Sequence, residues 1–179
     1  MRFSLMLLPL LPLLFVAGTG WADQMNLRPP GAAVELRTYG FGVIPFDGNF
    51  TRFHGWMRYD PTKPGACQVQ LEIEAGSLAM ENEAIRDRIT GPGMMNVARF
   101  PDLAFRGTCQ GHGAAMVGDL TMHGETHPVT LGFTHSAGTI VASGELRRAQ
   151  WGITGSPLLG GSMIRIKVVV PDPFNALHT

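Results

Sequence analysis

The sequence has little excess charge of either sign, few cysteines and one long hydrophobic run. Its 14 Lys and Arg residues balance 14 Asp and Glu residues, so the formal net charge is zero at pH 7. Nucleic-acid binding depends on a surplus of Lys and Arg opposite phosphates, and binding to an anionic membrane depends on a polybasic patch. The balanced charge therefore argues against nucleic acid and anionic lipid surfaces as electrostatic partners.

The motifs of common catalytic and metal sites are also missing. No G-x-S-x-G sequence surrounds any serine, so a serine nucleophile has no anchor. His123 and His127 are four residues apart, but they flank a predicted turn, and a metal site needs three or four converging ligands. We therefore expect no catalytic residue, no metal and no enzymatic cofactor.

The hydrophobic run is at the N-terminus. Residues 3–16 are almost wholly apolar after Arg2, and Gly20 and Ala22 are small residues at the positions that a signal peptidase reads. A retained membrane anchor is the alternative, but the run contains Pro9 and Pro12 and is short for a span of roughly 20 residues.

The leader divides the chain into four predicted parts. These are a signal peptide at 1–22, a mobile lead-in at 23–33, one domain at 34–171 and a C-terminal tail at 172–179. No second long apolar run follows the leader, so we expect a periplasmic protein without an integral membrane span after cleavage. Secretion into the medium is the alternative. The sequence leaves a homodimer open.

Short segments with alternating apolar and polar residues fill the domain. The 23 glycines and 13 prolines are scattered between these segments, which is typical of an all-β protein. One helical stretch lies at 81–89, between the third and fourth strands. A closed antiparallel barrel would leave no sheet edge exposed. We predict eight strands: Val34–Val43, Phe50–Tyr59, Cys67–Ala75, Leu103–Cys109, Ala115–Met122, Val129–Phe133, Thr139–Leu146 and Met163–Val170.

The two cysteines lie on strands that should be antiparallel neighbours. If Cys67 faces Cys109, then Leu71 faces Phe105 and Ile73 faces Leu103, and all of these lie on the apolar face of their strand. Disulfides persist in an oxidising compartment, so we predict a Cys67–Cys109 disulfide. The alternative is a pair of buried free cysteines.

Four segments, in this order, resemble the YceI family. They are Phe50–Pro61 (FTRFHGWMRYDP), Met94–Thr108 (MMNVARFPDLAFRGT), Gly118–Leu131 (GDLTMHGETHPVTL) and Arg147–Thr154 (RRAQWGIT). The resemblance covers roughly residues 34–170 and implies a lipocalin-like antiparallel barrel. It also implies an apolar cavity that holds an isoprenoid lipid, either a polyprenyl phosphate or an isoprenoid quinone. Met94 and Met95 stand where the family commonly has phenylalanines, which suggests a more adaptable wall.

The inward faces of the strands supply the candidate ligand-binding residues. For each residue, contact with a ligand and ordinary core packing are both open, because a cavity and a core share one chemistry. Arg147 and Arg148 could contact a polar head group, or they could bond loop carbonyls at a barrel corner. The apolar candidates are Phe53, Met57, Val69, Leu71, Ile73, Phe105, Leu120, Met122, Leu131, Phe133, Ile164 and Ile166.

The expected function is therefore binding of an isoprenoid lipid. Two alternatives are an enzyme that acts on a small apolar substrate in the same cavity, and a structural or stress-related secreted protein with a filled core. An enzyme would need titratable side chains on the inward faces of the strands. The inward strand positions given above carry none.

Overall fold

The structure is a computed structural model that describes residues 23–41, 43–60, 63, 65–111, 114–136, 138–155 and 162–172. The predicted signal peptide and the tail beyond Asp172 lie outside these residues.

The described residues form eleven strands and one α-helix, α1 (Glu83–Thr90). Short 3-10 segments lie at Ala75–Ser77 and Arg148–Trp151. The strands are β1 (Asp23–Leu27), β2 (Ala33–Gly40), β3 (Ile44–Phe50), β4 (Phe53–Tyr59), β5 (Gln68–Glu74), β6 (Leu78–Met80), β7 (Asp102–Gln110), β8 (Ala115–Met122), β9 (Glu125–Ser136), β10 (Thr139–Arg147) and β11 (Met163–Pro171).

All of these strands belong to one sheet that curls into a half-barrel around its apolar face. Their order is β1-β4-β5-β7-β8-β9-β10-β11-β2-β3-β6, and neighbouring strands run antiparallel. The all-β class and the single helix before β7 confirm the coarse prediction from the sequence. The buried side chains lie on the inward positions, which alternate along each strand as its period of two requires.

The prediction of a closed, eight-stranded barrel is wrong, because the described residues form eleven strands in a half-barrel. The segment 44–48 contains Pro45 and Gly48 and resembled a turn, yet it forms most of β3, which pairs with both β2 and β6. The segment expected as one strand from Phe50 bends at Thr51 and Arg52, where the Arg52 N–H donates to Ser77 Oγ at 3.1 Å.

The lead-in expected to be mobile also differs from the structure. Asp23–Leu27 forms β1 and pairs with β4, with Met25 opposite Met57. Leu27 is 2 % exposed, so its burial fixes this segment to the sheet. The sequence does not predict this strand, because the nearby Pro29 and Pro30 and the polar residues around them are typical of loops.

The predicted register of the cysteine strands is confirmed. Leu71 pairs with Phe105 and Ile73 pairs with Leu103. Cys67 and Cys109 form a disulfide with Cα atoms 5.0 Å apart, and the Cys109 N–H donates to the Cys67 carbonyl at 3.2 Å. The bond ties the end of β7 to the residue before β5.

Two inward glycines allow the tight curvature of the sheet. A Cβ atom at Gly118 would overlap the Arg106 carbonyl oxygen and lie 2.5 Å from Gly107 Cα. A Cβ atom at Gly55 would overlap the Gln70 carbonyl oxygen and lie 2.9 Å from Leu71 Cα. These neighbours are backbone atoms of paired strands, so they cannot move aside as a side chain can. Glycine is therefore required at these two close approaches of paired strands.

Replacing Gly118 with alanine should destabilise the fold by about 1–3 kcal/mol, the usual cost of overpacking. The matched control is Gly132→Ala in β9, where an added Cβ meets nothing within 4 Å. Urea denaturation of both variants gives the free energy of unfolding. Equal stability of the two variants would contradict the role assigned to Gly118.

Loss of the disulfide should lower the free energy of unfolding by about 2–4 kcal/mol, because the bond closes a loop with a sequence separation of 42 residues. The double variant Cys67→Ser with Cys109→Ser measures this loss by denaturation. Alkylation in denaturant without reductant should leave the intact mass of the wild-type protein unchanged. A gain of two alkyl groups under those conditions would show free thiols instead.

Candidate functional site

The inner face of the sheet encloses two small apolar cavities. The first, here called the helix-side compartment, has a volume of about 50 Å³ and lies beneath α1 and the segment that follows it. The second, the β1-side compartment, has a volume of about 40 Å³ and lies beside Leu27 of β1. Thr38 is the one polar side chain that lines either compartment among the described residues.

The structure distributes the apolar candidates between these two compartments. The helix-side compartment is lined by Ile73, Leu120, Met122, Ile164 and Ile166. The β1-side compartment is lined by Met57, Val69, Leu71, Phe105, Leu131 and Phe133. Phe53 is buried, with 7 % exposure, but lines neither compartment.

The cap of the helix-side compartment is made by α1 and the loop after it. Asn82 begins the helix, since its side-chain oxygen accepts a hydrogen bond from the Ile85 N–H at 3.1 Å. The Met95 N–H donates to the Ile89 carbonyl at 2.9 Å and holds the loop against the helix. Ile89, Met94 and Met95 are thereby buried and face the compartment.

Several of these lining residues are not among the candidates that the sequence predicts. Met94 and Met95 enter the sequence prediction only as a departure from the family pattern, and Ile89 is the last residue of the predicted helical stretch at 81–89. Val34 and Leu36 lie on inward positions of β2, and an alternation count along that strand would have found them. Ile153 lies in a loop, and no periodic signal marks it.

The two candidate arginines lie in different environments. Arg147 is exposed at the end of β10. Arg148 is the one charged residue that is buried in the described part of the chain, with 7 % exposure. Its Nη1 donates to the Gly155 carbonyl at 2.6 Å and contacts Met94 Sδ at 2.9 Å. Burial lowers the pKa of the Arg148 guanidinium, although arginine still carries its charge at neutral pH.

The position of Arg148 connects a charge with the apolar compartment. Met94 lines the helix-side compartment, and the guanidinium of Arg148 contacts its sulfur. A positive group thus lies behind one methionine at the border of an otherwise apolar space. The hydrogen bond from Arg148 to the Gly155 carbonyl is the contact with a loop carbonyl that was given above as the alternative to binding a head group.

The two histidines of the β8–β9 hairpin both contact Trp151, which lies with Arg148 in the corner segment Arg148–Trp151. His123 and Gly124 form its two-residue turn, with φ of 53° and 81°, so His123 is part of the turn that the sequence predicts it to flank. His123 Nδ1 donates to the Trp151 carbonyl at 2.9 Å. The Trp151 ring is wholly buried and its Nε1–H donates to the Leu120 carbonyl at 3.1 Å. These bonds fix the corner segment Arg148–Trp151. Ile153, which lines the helix-side compartment, follows this segment directly after Gly152.

Within the residues that the structure covers, no group of three His, Cys, Asp or Glu side chains could hold a metal ion. His127 instead lies near Glu125, with Nε2 and Oε2 3.1 Å apart, and its ring meets that of Trp151 edge-on at 5.2 Å. No α-helix in the described part of the chain is long and apolar enough to cross a bilayer.

Solved structures share this fold at low sequence identity. A crystal structure of Burkholderia cenocepacia BcnA superposes with a TM-score of 0.64 and 18% identity, and covers 77% of this chain and 94% of that chain. A polyisoprenoid binding domain from Saccharophagus degradans superposes with a TM-score of 0.55 and 12% identity, and covers 77% of this chain and 91% of its own.

Sequence comparison extends the likeness. A UPF0312 protein of Yersinia pestis (strain Pestoides F) is 34% identical over 125 residues, which are 66% of this chain and 65% of that protein. The chain thus spans slightly less than two thirds of that relative's length. The family profile described as a YceI-like domain matches residues 26–171. The chain therefore belongs to the YceI family.

Proposed function

We propose that this protein binds an isoprenoid lipid, a polyprenyl phosphate or an isoprenoid quinone, against the inner face of its curled sheet. The observation that carries the proposal is the pair of apolar compartments enclosed by that face. The fold likeness to a polyisoprenoid binding domain supports the same class of ligand.

The compartments must expand to admit such a chain. Their volumes of about 50 and 40 Å³ are far below the roughly 300–1,000 Å³ of ordinary ligand pockets. The side chains most able to move are Met94, Met95 and Met122, because methionine is unbranched and fills irregular space. Each methylene transferred from water into the interior contributes about 0.8 kcal/mol, which favours a long apolar chain.

Binding explains the lining better than catalysis does. An enzyme needs a titratable or nucleophilic group beside its substrate, and the described residues that line the two compartments are apolar except for Thr38. The third possibility, a permanently filled core, agrees with the small volumes. Ligand extraction separates it from the lipid-binding function.

The head group of the lipid would lie near Arg148. This guanidinium already contacts Met94, so movement of that methionine would expose it to a phosphate or a quinone oxygen at the edge of the compartment. We also propose a periplasmic location for the protein. The Cys67–Cys109 disulfide supports an oxidising compartment.

Protein purified from its own host should carry an isoprenoid that organic solvent extracts and mass spectrometry identifies. Protein stripped of lipid should take up an isoprenoid quinone again, whereas the same protein in denaturant should not. An empty extract, together with no uptake by the stripped and folded protein, would favour the filled core and contradict the proposal.

Arg148→Met should weaken binding of a polyprenyl phosphate about ten- to hundredfold and leave binding of the uncharged polyprenol unchanged, because a hydrogen bond to a charged group contributes about 1.5–3 kcal/mol. Arg148→Lys should restore part of the loss. Arg147→Met is the matched control, since that side chain is exposed, and should bind both ligands as the wild type does. Titration with both lipids measures these affinities. Equal weakening of the binding of both lipids in Arg148→Met would contradict a contact with the head group. The role of Arg148 would then be its hydrogen bond to the Gly155 carbonyl.

A further inference from the structure

The two compartments meet along one boundary, and we propose that Phe53 at this boundary sets the length of apolar chain that the interior accepts. The inference rests on the proposed lipid-binding function and adds a residue that determines which lipids fit. It depends on where each strand passes from one compartment to the other.

Two strands cross the boundary at a glycine. In β8, Met116 lines the β1-side compartment and Leu120 lines the helix-side compartment, with the inward Gly118 between them. In β10, Ala142 and Leu146 line the same two compartments, with Gly144 between them. At these positions the sheet itself presents no side chain to the boundary.

Phe53 holds the corresponding position on β4. Phe50 precedes it and lines the helix-side compartment, whereas Met57 follows it and lines the β1-side compartment. Phe53 pairs with Ile73, which lines the helix-side compartment. The next inward residue of β4, Gly55, pairs with Leu71, which lines the β1-side compartment. Phe53 thus lies between the two compartments and is buried without lining either.

Leu78, Cys109 and Val129 are the other buried side chains of the described strands that line neither compartment. Leu78 pairs with Phe50, which lines the helix-side compartment, and Cys109 is bound in the disulfide, so the one of the three at the boundary is Val129. It pairs with Gly118 and lines neither compartment. Valine is smaller than phenylalanine and is held in one rotamer by its branched Cβ. Leu131 covers Gly144, where its Cδ2 would lie 2.8 Å from an added Cβ, and it already lines the β1-side compartment. Phe53 is therefore the largest side chain that belongs to the boundary alone.

Joining the compartments requires displacement of the side chains that lie between them. Gly118 and Gly144 contribute no side chain of their own, and the Phe53 ring is the largest side chain that would have to move. A short chain occupies the helix-side compartment while Phe53 keeps its place. A longer chain must displace the ring, and the displacement lowers its affinity relative to the short chain.

The affinities for farnesol, geranylgeraniol and solanesol, isoprenoid alcohols of increasing length, test this role. Phe53→Ala should raise the affinity for solanesol relative to farnesol about tenfold, and Phe53→Leu should shift the ratio in the same direction by less. Phe50→Ala is the matched control. It removes the same ring from the helix-side compartment and should change both affinities by a similar factor. If Phe53→Ala does not fold, Phe53→Leu decides.

An unchanged ratio in both folded Phe53 variants would overturn the role of Phe53 and leave lipid binding intact. An equal shift in Phe50→Ala would also overturn it, because any enlarged interior would then favour longer chains. If the wild type and all variants bind none of the three alcohols, the lipid-binding function fails as well.

Discussion

A single curled sheet has to bury its apolar face against itself, and the other features of this structure depend on that constraint. One short helix and the loop after it cap one end, and no second layer covers the described strands from within. The inner face must therefore be filled by its own side chains or by a guest. The two compartments of about 50 and 40 Å³ are the space that its own side chains leave.

The curvature that creates this interior depends on small residues and one covalent bond. Gly55 and Gly118 allow neighbouring backbones to approach where a Cβ would collide with a carbonyl. The Cys67–Cys109 disulfide holds the strands on either side of the α1 segment together. At the capped end, Trp151 and His123 fix the corner from which Arg148 reaches Met94. The cap, in contrast, includes the adjacent and flexible side chains Met94 and Met95. The interior can therefore adjust its shape to a ligand mainly at the capped end.

The sequence predicted the parts of this arrangement that depend on alternation. The period of two identified the inward residues, and the apolar faces of two strands defined the Cys67–Cys109 register, which the structure confirms. The alternation of apolar and polar residues does not predict a strand correctly where the local composition favours a turn but pairing with neighbouring strands favours a strand. Pro45 and Gly48 resembled a turn but lie in β3, because β2 pairs along the whole of this strand and β6 pairs with its last three residues. Residues of irregular loops, such as Met95 and Ile153, carry no period, and their place in the site required the fold.

Whether the interior accepts an isoprenoid chain can be seen in a crystal structure of the protein with an isoprenoid quinone. We expect continuous density for the chain along the inner face, with Met94 and Met95 displaced from their positions beneath α1. We also expect the quinone ring near Arg148. An interior that keeps two separate cavities of about 50 and 40 Å³, with the quinone absent or bound outside the sheet, would contradict this expectation.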